Sequence, residues 1–211
     1  SSQEETSTSS SYGAIAISMG HGTKLAGASG YIDESDENEK VTKEVTRILK
    51  ENGLTVYDFY DTVSTKKDPN LAAIKKFHNS HTRDLDISIH FNANPDPNAN
   101  GTEGLYVANK EGAAVLSRAT AKALGAKDRG PKLRTNLMFT NMSKSAIILE
   151  ICFVTSSSDA NKYKNNFDKL CYAIAFAAAR MVSKGAIKAD TFKVTGGNAS
   201  SISSFLKDDV E

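Results

Sequence analysis

Cysteine is scarce in this chain of 211 residues, charge is nearly balanced and long apolar runs are missing. Each shortage excludes something. Two cysteines, Cys152 and Cys171, cannot build a disulfide-dense scaffold, and both sit in apolar runs ("AIILEICFV" and "LCYAIAFAAA") where cysteine serves as a small core residue. They are expected as buried free thiols, and they leave the redox compartment open. A net charge of +1 lacks the clustered lysine and arginine of a nucleic-acid binder, so no nucleic-acid partner is expected. No run approaches the ~20 apolar residues that cross a bilayer. The longest candidate, around Cys171, stops at Arg180, and no membrane insertion is expected. A basic segment followed by an apolar one is absent from the start, and the first residue is Ser, which reads as a chain processed, excised or tagged there.

What is present is an ordinary globular composition, 39% hydrophobic and 24% charged, enough for one domain with a proper core. Residues 1–11, "SSQEETSTSSS", hold no apolar side chain and are expected to be a disordered linker or tag. Residues 186–211 turn Ser- and Gly-rich and are expected to be a linker or tail leaving the folded unit, which occupies 12–185.

Between the tails the hydrophobic period alternates between about 2 and about 3.6. "AIAIS" reads as a buried strand, "EKVTKEVTRILKENG" as a helix stopped by Gly53, and "LTVYDFY" as a second strand. "NLAAIKKFHNSH" follows as a helix with Asn70 as N-cap, then the strand "DLDISIHFNA". "GLYVAN" is a strand, "EGAAVLSRATAKALG" a helix, "AIILEICFV" a strand and "DANKYKNNFDKLCYAIAFAAARMV" one long final helix. Alternation of this kind predicts an α/β fold, a single three-layer domain with a twisted, mostly parallel sheet flanked by helices. Working groups in such sheets gather beyond the carboxyl ends of the strands.

The polar residues obey that rule. His21 follows the first strand, His90 ends the third, and Glu150 interrupts the otherwise apolar final strand. Catalytic zinc takes three ligands from His, Cys or carboxylate and keeps one position for water. The cluster "DESDENE" supplies the nearest carboxylates, and Glu34, Asp36, Glu37 and Glu39 all qualify chemically. Glu150, among isoleucines, Leu149, Phe153 and Val154, is a functional candidate in its own right, since a buried acid is costly unless paired. Asn92 either orients His90, touches substrate or makes a strand-end turn. Two rivals are weaker. His78 and His81 share one helix face, in a polar segment that reads as a solvated helix terminus at the end opposite His90. The Gly-rich loop "GHGTKLAGASG" lacks the Lys-Ser/Thr sequel of a phosphate-binding loop.

"GHG" followed by "GASG", "DISIHFNA", "GTEGLYV", "RGPK" and "LMFTNMSKSAIILEICFV" together resemble the zinc-dependent N-acetylmuramoyl-L-alanine amidases of phage endolysins and bacterial autolysins, over about residues 13–184. The resemblance implies one zinc ion held by His21, Glu34 and His90, and Glu150 as the catalytic acid/base. Glu34 takes the ligand's place by register, four residues before Asn38 and nineteen before Gly53, with Glu37 as the fallback. Ser18 and Met19 replace the usual Asp-x before Gly-His, and Thr155 replaces a Gln/Asn-type residue, changes that bear on substrate fit rather than on metal. The implied partner is the peptidoglycan of a Gram-positive wall, met by a monomer that is either secreted or phage-encoded and released through a holin-type pore. The two tails then suggest a missing wall-binding domain. A zinc peptidase or carboxypeptidase acting on the stem peptide and a catalytically silent wall-binding module are the alternatives.

Overall fold

A computed structural model describes residues 12–211, so the expectation for 1–11 lies outside the described residues. Six strands form one sheet in the order β2-β1-β3-β6-β4-β5. They are β1 (Ile15–Gly22), β2 (Val56–Asp61), β3 (Leu85–Asn92), β4 (Thr102–Tyr106), β5 (Asp128–Leu133) and β6 (Ala146–Phe153). All neighbouring pairs are parallel except β4 with β6. The mostly parallel α/β sheet read from the sequence is therefore present.

The two faces of the sheet are unlike. Helices α1 (Glu34–Glu51), α3 (Lys110–Leu124) and α5 (Phe167–Val182) cover one face, which carries Ile15, Ile17, Ile87, Ile89, Ile147, Leu149 and Ile151 in the main core. The opposite face is covered by α2 (Lys67–Asn79) and the 3-10 turn Phe139–Asn141, over a small core of Ile74, Leu105, Phe139, Ala146 and Ile148. Alternation along the strands assigns each side chain to a face. His90, Glu150 and Glu103, paired across β3, β6 and β4, lie in one row on the thinly covered face.

Several boundaries differ from expectation for identifiable reasons. β1 and β3 run on through His21 and Asn92. β5 carries no strand signature in the sequence because Gly130 and Pro131 depress strand propensity; it sits at the sheet's edge, where proline is tolerated. Helix α2 starts at Lys67, and Asn70 is no N-cap: its buried Nδ2 donates to Asp61 Oδ2 at 2.9 Å. The final helix is two, α4 (Ser157–Asn165) and α5, because Asn166 leaves helical geometry and its Nδ2 donates to the Lys162 carbonyl. Gly53 and Gly125 end α1 and α3 at positive φ as expected. Cys152 and Cys171 are buried and unpaired, as expected.

The segment 186–211 corrects the linker expectation. It folds as a 3-10 turn, α6 (Ala199–Phe205) and a π-helical turn, and it buries Phe192, Ile202, Phe205 and Leu206 against the main core. Lys193 exchanges two hydrogen bonds with the Asn52 side chain. The apolar residues looked scattered because consecutive serines and glycines separate them; three dimensions bring them to one side. Leu206→Ala should destabilise the protein by about 2–5 kcal/mol in urea unfolding, whereas a free tail would leave the midpoint unmoved.

Candidate metal centre

The site forms where β1, β3 and the start of α1 meet. Its strands are irregular at the decisive positions. β1 slips register against β2 between Ser18 and Gly22, and β3 slips against β6 between His90 and Asn92. Such irregularities bend a strand and re-aim its side chains; here one spans His21 and the other directly follows His90. Glycine makes the approach possible: a Cβ on Gly20 would stand 2.4 Å from His90 Nε2, and one on Gly27 would stand 2.5 Å from Glu34 Oε1.

Glu34 is the first residue of α1 and only 3% exposed. Its Oε1 accepts from Ala28 N at 3.0 Å and lies 2.9 Å from His21 Nε2. Its Oε2 accepts from Phe91 N at 2.8 Å and lies 3.3 Å from His90 Nδ1. Burial alone would push this carboxyl up, but the hydrogen bonds and electrostatic attraction of the two imidazoles outweigh it and hold the group well below the usual carboxylate range. One ligand atom from each of His21, Glu34 and His90 lies within 4.8 Å of the other two, an arrangement able to hold a metal ion. The other acids of the cluster turn elsewhere. Glu37 accepts from Tyr163 Oη at 2.7 Å, Glu39 pairs with Lys43, and Asp36 is exposed. The Gly-rich loop spends its Ala28 N–H on Glu34 and presents a carboxylate, so it is no phosphate cradle.

Glu150 stands beside His90 in register. The residue is partly exposed, yet its Oε2 is enclosed and accepts no hydrogen bond among the described residues. Burial pushes its carboxyl up to about 8, with the charges of Glu34 and Glu103 adding to the rise and Arg134 opposing it. Asn92 turns to Glu103 rather than to His90: its Nδ2 donates to Glu103 Oε1 at 2.9 Å, and its Oδ1 accepts from Ala93 N. Arg129 Nε reaches Glu103 Oε2 at 3.1 Å. No motif gives Glu103 or Arg129 a role in the sequence, although alternation from Leu105 places Glu103 on Glu150's face.

The rival pair needs a correction. His78 is fully buried rather than solvated; its Nδ1 meets Asp86 Oδ1 at 2.8 Å and its Nε2 meets Ser18 Oγ at 3.0 Å. Arg83 and Ser143 also donate to Asp86. Contacts in this order resemble a serine hydrolase triad, but Ser18, His78 and Asp86 are at most 0% exposed, so no substrate reaches the hydroxyl. The network ties α2 to β1 and β3. His81 turns away and stacks on Tyr57.

Residues 15–180 match the family model described as N-acetylmuramoyl-L-alanine amidase. The chain belongs to this amidase family. It is 33% identical over 175 residues to the N-acetylmuramoyl-L-alanine amidase LytC of Bacillus subtilis, covering 76% of this chain and 34% of LytC. It is also 33% identical over 182 residues to an uncharacterized 38.4 kDa protein of Clostridium perfringens, covering 81% of this chain and about half (52%) of that relative's length. Among solved structures, the catalytic domain of the amidase CwlV from Bacillus (Paenibacillus) polymyxa superposes with a TM-score of 0.72 at 25% identity, over 81% of this chain and 98% of that one. The catalytic domain of the CD27L endolysin, which targets Clostridia difficile, gives 0.68 at 25% identity, over 83% and 99%.

The Asp86 network yields a test of the amidase fold. Burial would raise the Asp86 carboxyl, but His78, Arg83 and Ser143 lower it below its ordinary value. Its contribution is thus fully present above the unfolded pKa of about 3.9 and fades as pH falls through the lower folded value. Asp86→Asn should cost about 3–5 kcal/mol at neutral pH and flatten the acid limb of stability measured by urea unfolding. Wild-type behaviour of the variant would remove the network from the account.

Proposed function

We propose that this amidase hydrolyses the amide joining the lactyl group of N-acetylmuramic acid to L-alanine in peptidoglycan, with one zinc ion held by His21, Glu34 and His90 and with Glu150 as acid and base. The observation that carries the reading is the convergence of three donors beside an enclosed carboxylate oxygen that accepts no hydrogen bond among the described residues. Two imidazoles and one carboxylate are a donor set of catalytic zinc with a position left for water. Zinc supplies Lewis acidity there, making water nucleophilic near neutral pH and polarising a carbonyl.

The chain's own residues supply the rest. Ionised Glu34 offsets one of the cation's two charges and fixes the spacing of both imidazoles. Glu150 takes the proton of the attacking water and passes it to the departing alanine nitrogen. Its proton affinity suits both tasks: burial and two carboxylates raise it to about 8, and a cation at the three donors would draw it back towards neutrality. Glu103, held by Asn92 and Arg129, forms the adjoining wall.

The enzyme acts on the cell wall. Relatives in Bacillus and Clostridium support a Gram-positive wall as its target. No helix among the described residues is long and apolar enough to cross a membrane. We take it to work as a monomer, reaching the wall by secretion or, if phage-encoded, by release through a holin-type pore.

Digestion of purified peptidoglycan should expose new N-terminal alanine without new reducing sugar, and a chelator should stop the loss of turbidity of a wall suspension. Cleavage inside the stem peptide would favour a peptidase, and no cleavage a silent binding module. Glu150→Gln should keep zinc while hydrolysis falls by a factor on the order of 100 or more; retained activity would refute its role. His21→Ala and His90→Ala should lose the metal by elemental analysis.

A further inference from the structure

The two layers that cover the sheet carry their charge differently. On α1 every cation is neutralised by a neighbour: Lys40 pairs with Glu37, Lys43 with Glu39, Arg47 with Glu44 and Glu51, and Lys50 with Asp58. The cover of the opposite face is unlike it. It consists of residues 62–82, which include α2, and residues 131–145, which include the end of β5 and the 3-10 turn. The two segments meet through Ile74 and Phe139 in the small core and through the rings of His78 and Phe139, whose centroids lie 5.1 Å apart. Residues 62–82 hold Lys66, Lys67, Lys75 and Lys76 against the single acid Asp68, and residues 131–145 hold Lys132, Arg134 and Lys144 and no acid. This cover therefore carries +6 in a chain whose net charge is +1.

All seven cations are exposed, and none forms an ion pair among the described residues. Arg134 donates through Nε to Asn136 Oδ1 at 3.3 Å, a neutral partner. Lys132 pairs with Leu105 of the small core, which sets it on this face, while the exposed Leu133 alternates to the other. Helix α2 is about 20 Å long and the sheet about 24 Å wide from β2 to β5, so the charges are spread over a broad surface rather than gathered around one point. One corner of that surface adjoins the metal centre. Lys66 and Lys67 open α2 just past β2, and the carbonyl of Asp61 at the end of β2 accepts at 2.8 Å from the backbone N–H of Thr23, two residues after His21.

Like charges held side by side without counter-charges repel one another, and a polyanion laid over them relieves that repulsion while releasing their counterions. We propose that this face docks an extended phosphodiester polymer carried by the wall, a polyol chain with one fixed negative charge per repeat, and so holds the enzyme on its substrate, a role that rests on the wall-directed function above. A flexible polymer can follow charges spread over such a surface, which a small anion cannot. Lysine, a mobile point charge, suits a singly charged phosphodiester that needs no bidentate fork. A bilayer of anionic lipid fits less well: Val63 is the one large apolar side chain exposed on this face among the described residues, and it leaves little to bury among acyl chains.

The test measures binding of the full chain to purified poly(glycerol phosphate) and, in parallel, to vesicles of phosphatidylglycerol and phosphatidylcholine. The wild type should bind the polymer at low ionic strength and release it in about 0.5 M salt, which screens exposed charges. The quadruple variant Lys66→Gln, Lys67→Gln, Lys75→Gln, Lys76→Gln should bind roughly tenfold or more weakly, as the loss of four exposed charge contacts requires. A control variant, Lys110→Gln, Lys122→Gln, Lys164→Gln, Lys188→Gln, removes the same charge from exposed positions elsewhere and should bind like the wild type. Both variants should release N-terminal alanine from a small soluble muramyl peptide at the wild-type rate. Only the first should be slower on intact wall, and the difference should vanish on wall stripped of its phosphodiester polymers. No binding to the polymer, binding insensitive to salt, equal loss in both variants, or binding to the vesicles alone overturns the docking surface. Polymer binding that the first variant loses, with no alanine released from any substrate by the zinc-loaded enzyme, overturns the amidase reading and leaves the docking surface standing.

Discussion

One buried carboxylate holds the working end of the protein together. Taking an ionised carboxylate out of water costs several kcal/mol unless its lone pairs are met. Glu34 meets them with two backbone N–H groups and two imidazoles, drawn from the loop before α1, from β1 and from β3. The loop joins β1 to α1 directly, but β3 arrives from 57 residues away. The charge is therefore tolerable only after they have come together, and the same meeting assembles the three donors. The place of Glu34 at the first turn of α1 adds the favourable field of a helix N-terminus.

The sheet divides labour between its faces. The face under α1, α3 and α5 is a continuous apolar layer and supplies the bulk of the burial. The other is partly polar: Ser18, Asp86 and Ser88 are buried there, and only a small apolar cluster accompanies them. An apolar cover over the whole of that face would enclose His90 and Glu150. A buried hydrogen-bond network in its place fixes α2 against two strands while leaving their far ends uncovered, at the cost of requiring every member to be satisfied.

Strand periodicity, together with polar residues at strand ends, made the α/β plan and the placement of His21, His90 and Glu150 legible in the sequence. That Glu34, of the four acids, is the one that meets His21 and His90 was not: helical phase and the hydrogen bonds of each acid bring it there, and only the family register pointed to it. His78 was misread because a polar neighbourhood in sequence says nothing about a partner, here Asp86, that arrives from the next strand. Asn92 looked like a companion of His90, but Glu103 captures it from across the sheet. β5 escaped notice because glycine and proline are poor strand formers except at an edge, and edges are defined by tertiary structure. The 186–211 segment misled for a related reason: composition averages over serine and glycine, whereas packing depends on where Phe192, Phe205 and Leu206 land.

The two thiols have a bearing on where such a protein can be made and used. Burial pushes both Cys152 and Cys171 well above the ordinary thiol range, so neither offers a thiolate to an oxidant or a disulfide partner at physiological pH. No covalent cross-link has to form before the domain is stable, and none can be lost to a reductant. The same folded state is thus available on either side of a redox boundary, which spares an enzyme synthesised under reducing conditions and employed under oxidising ones any maturation step in between.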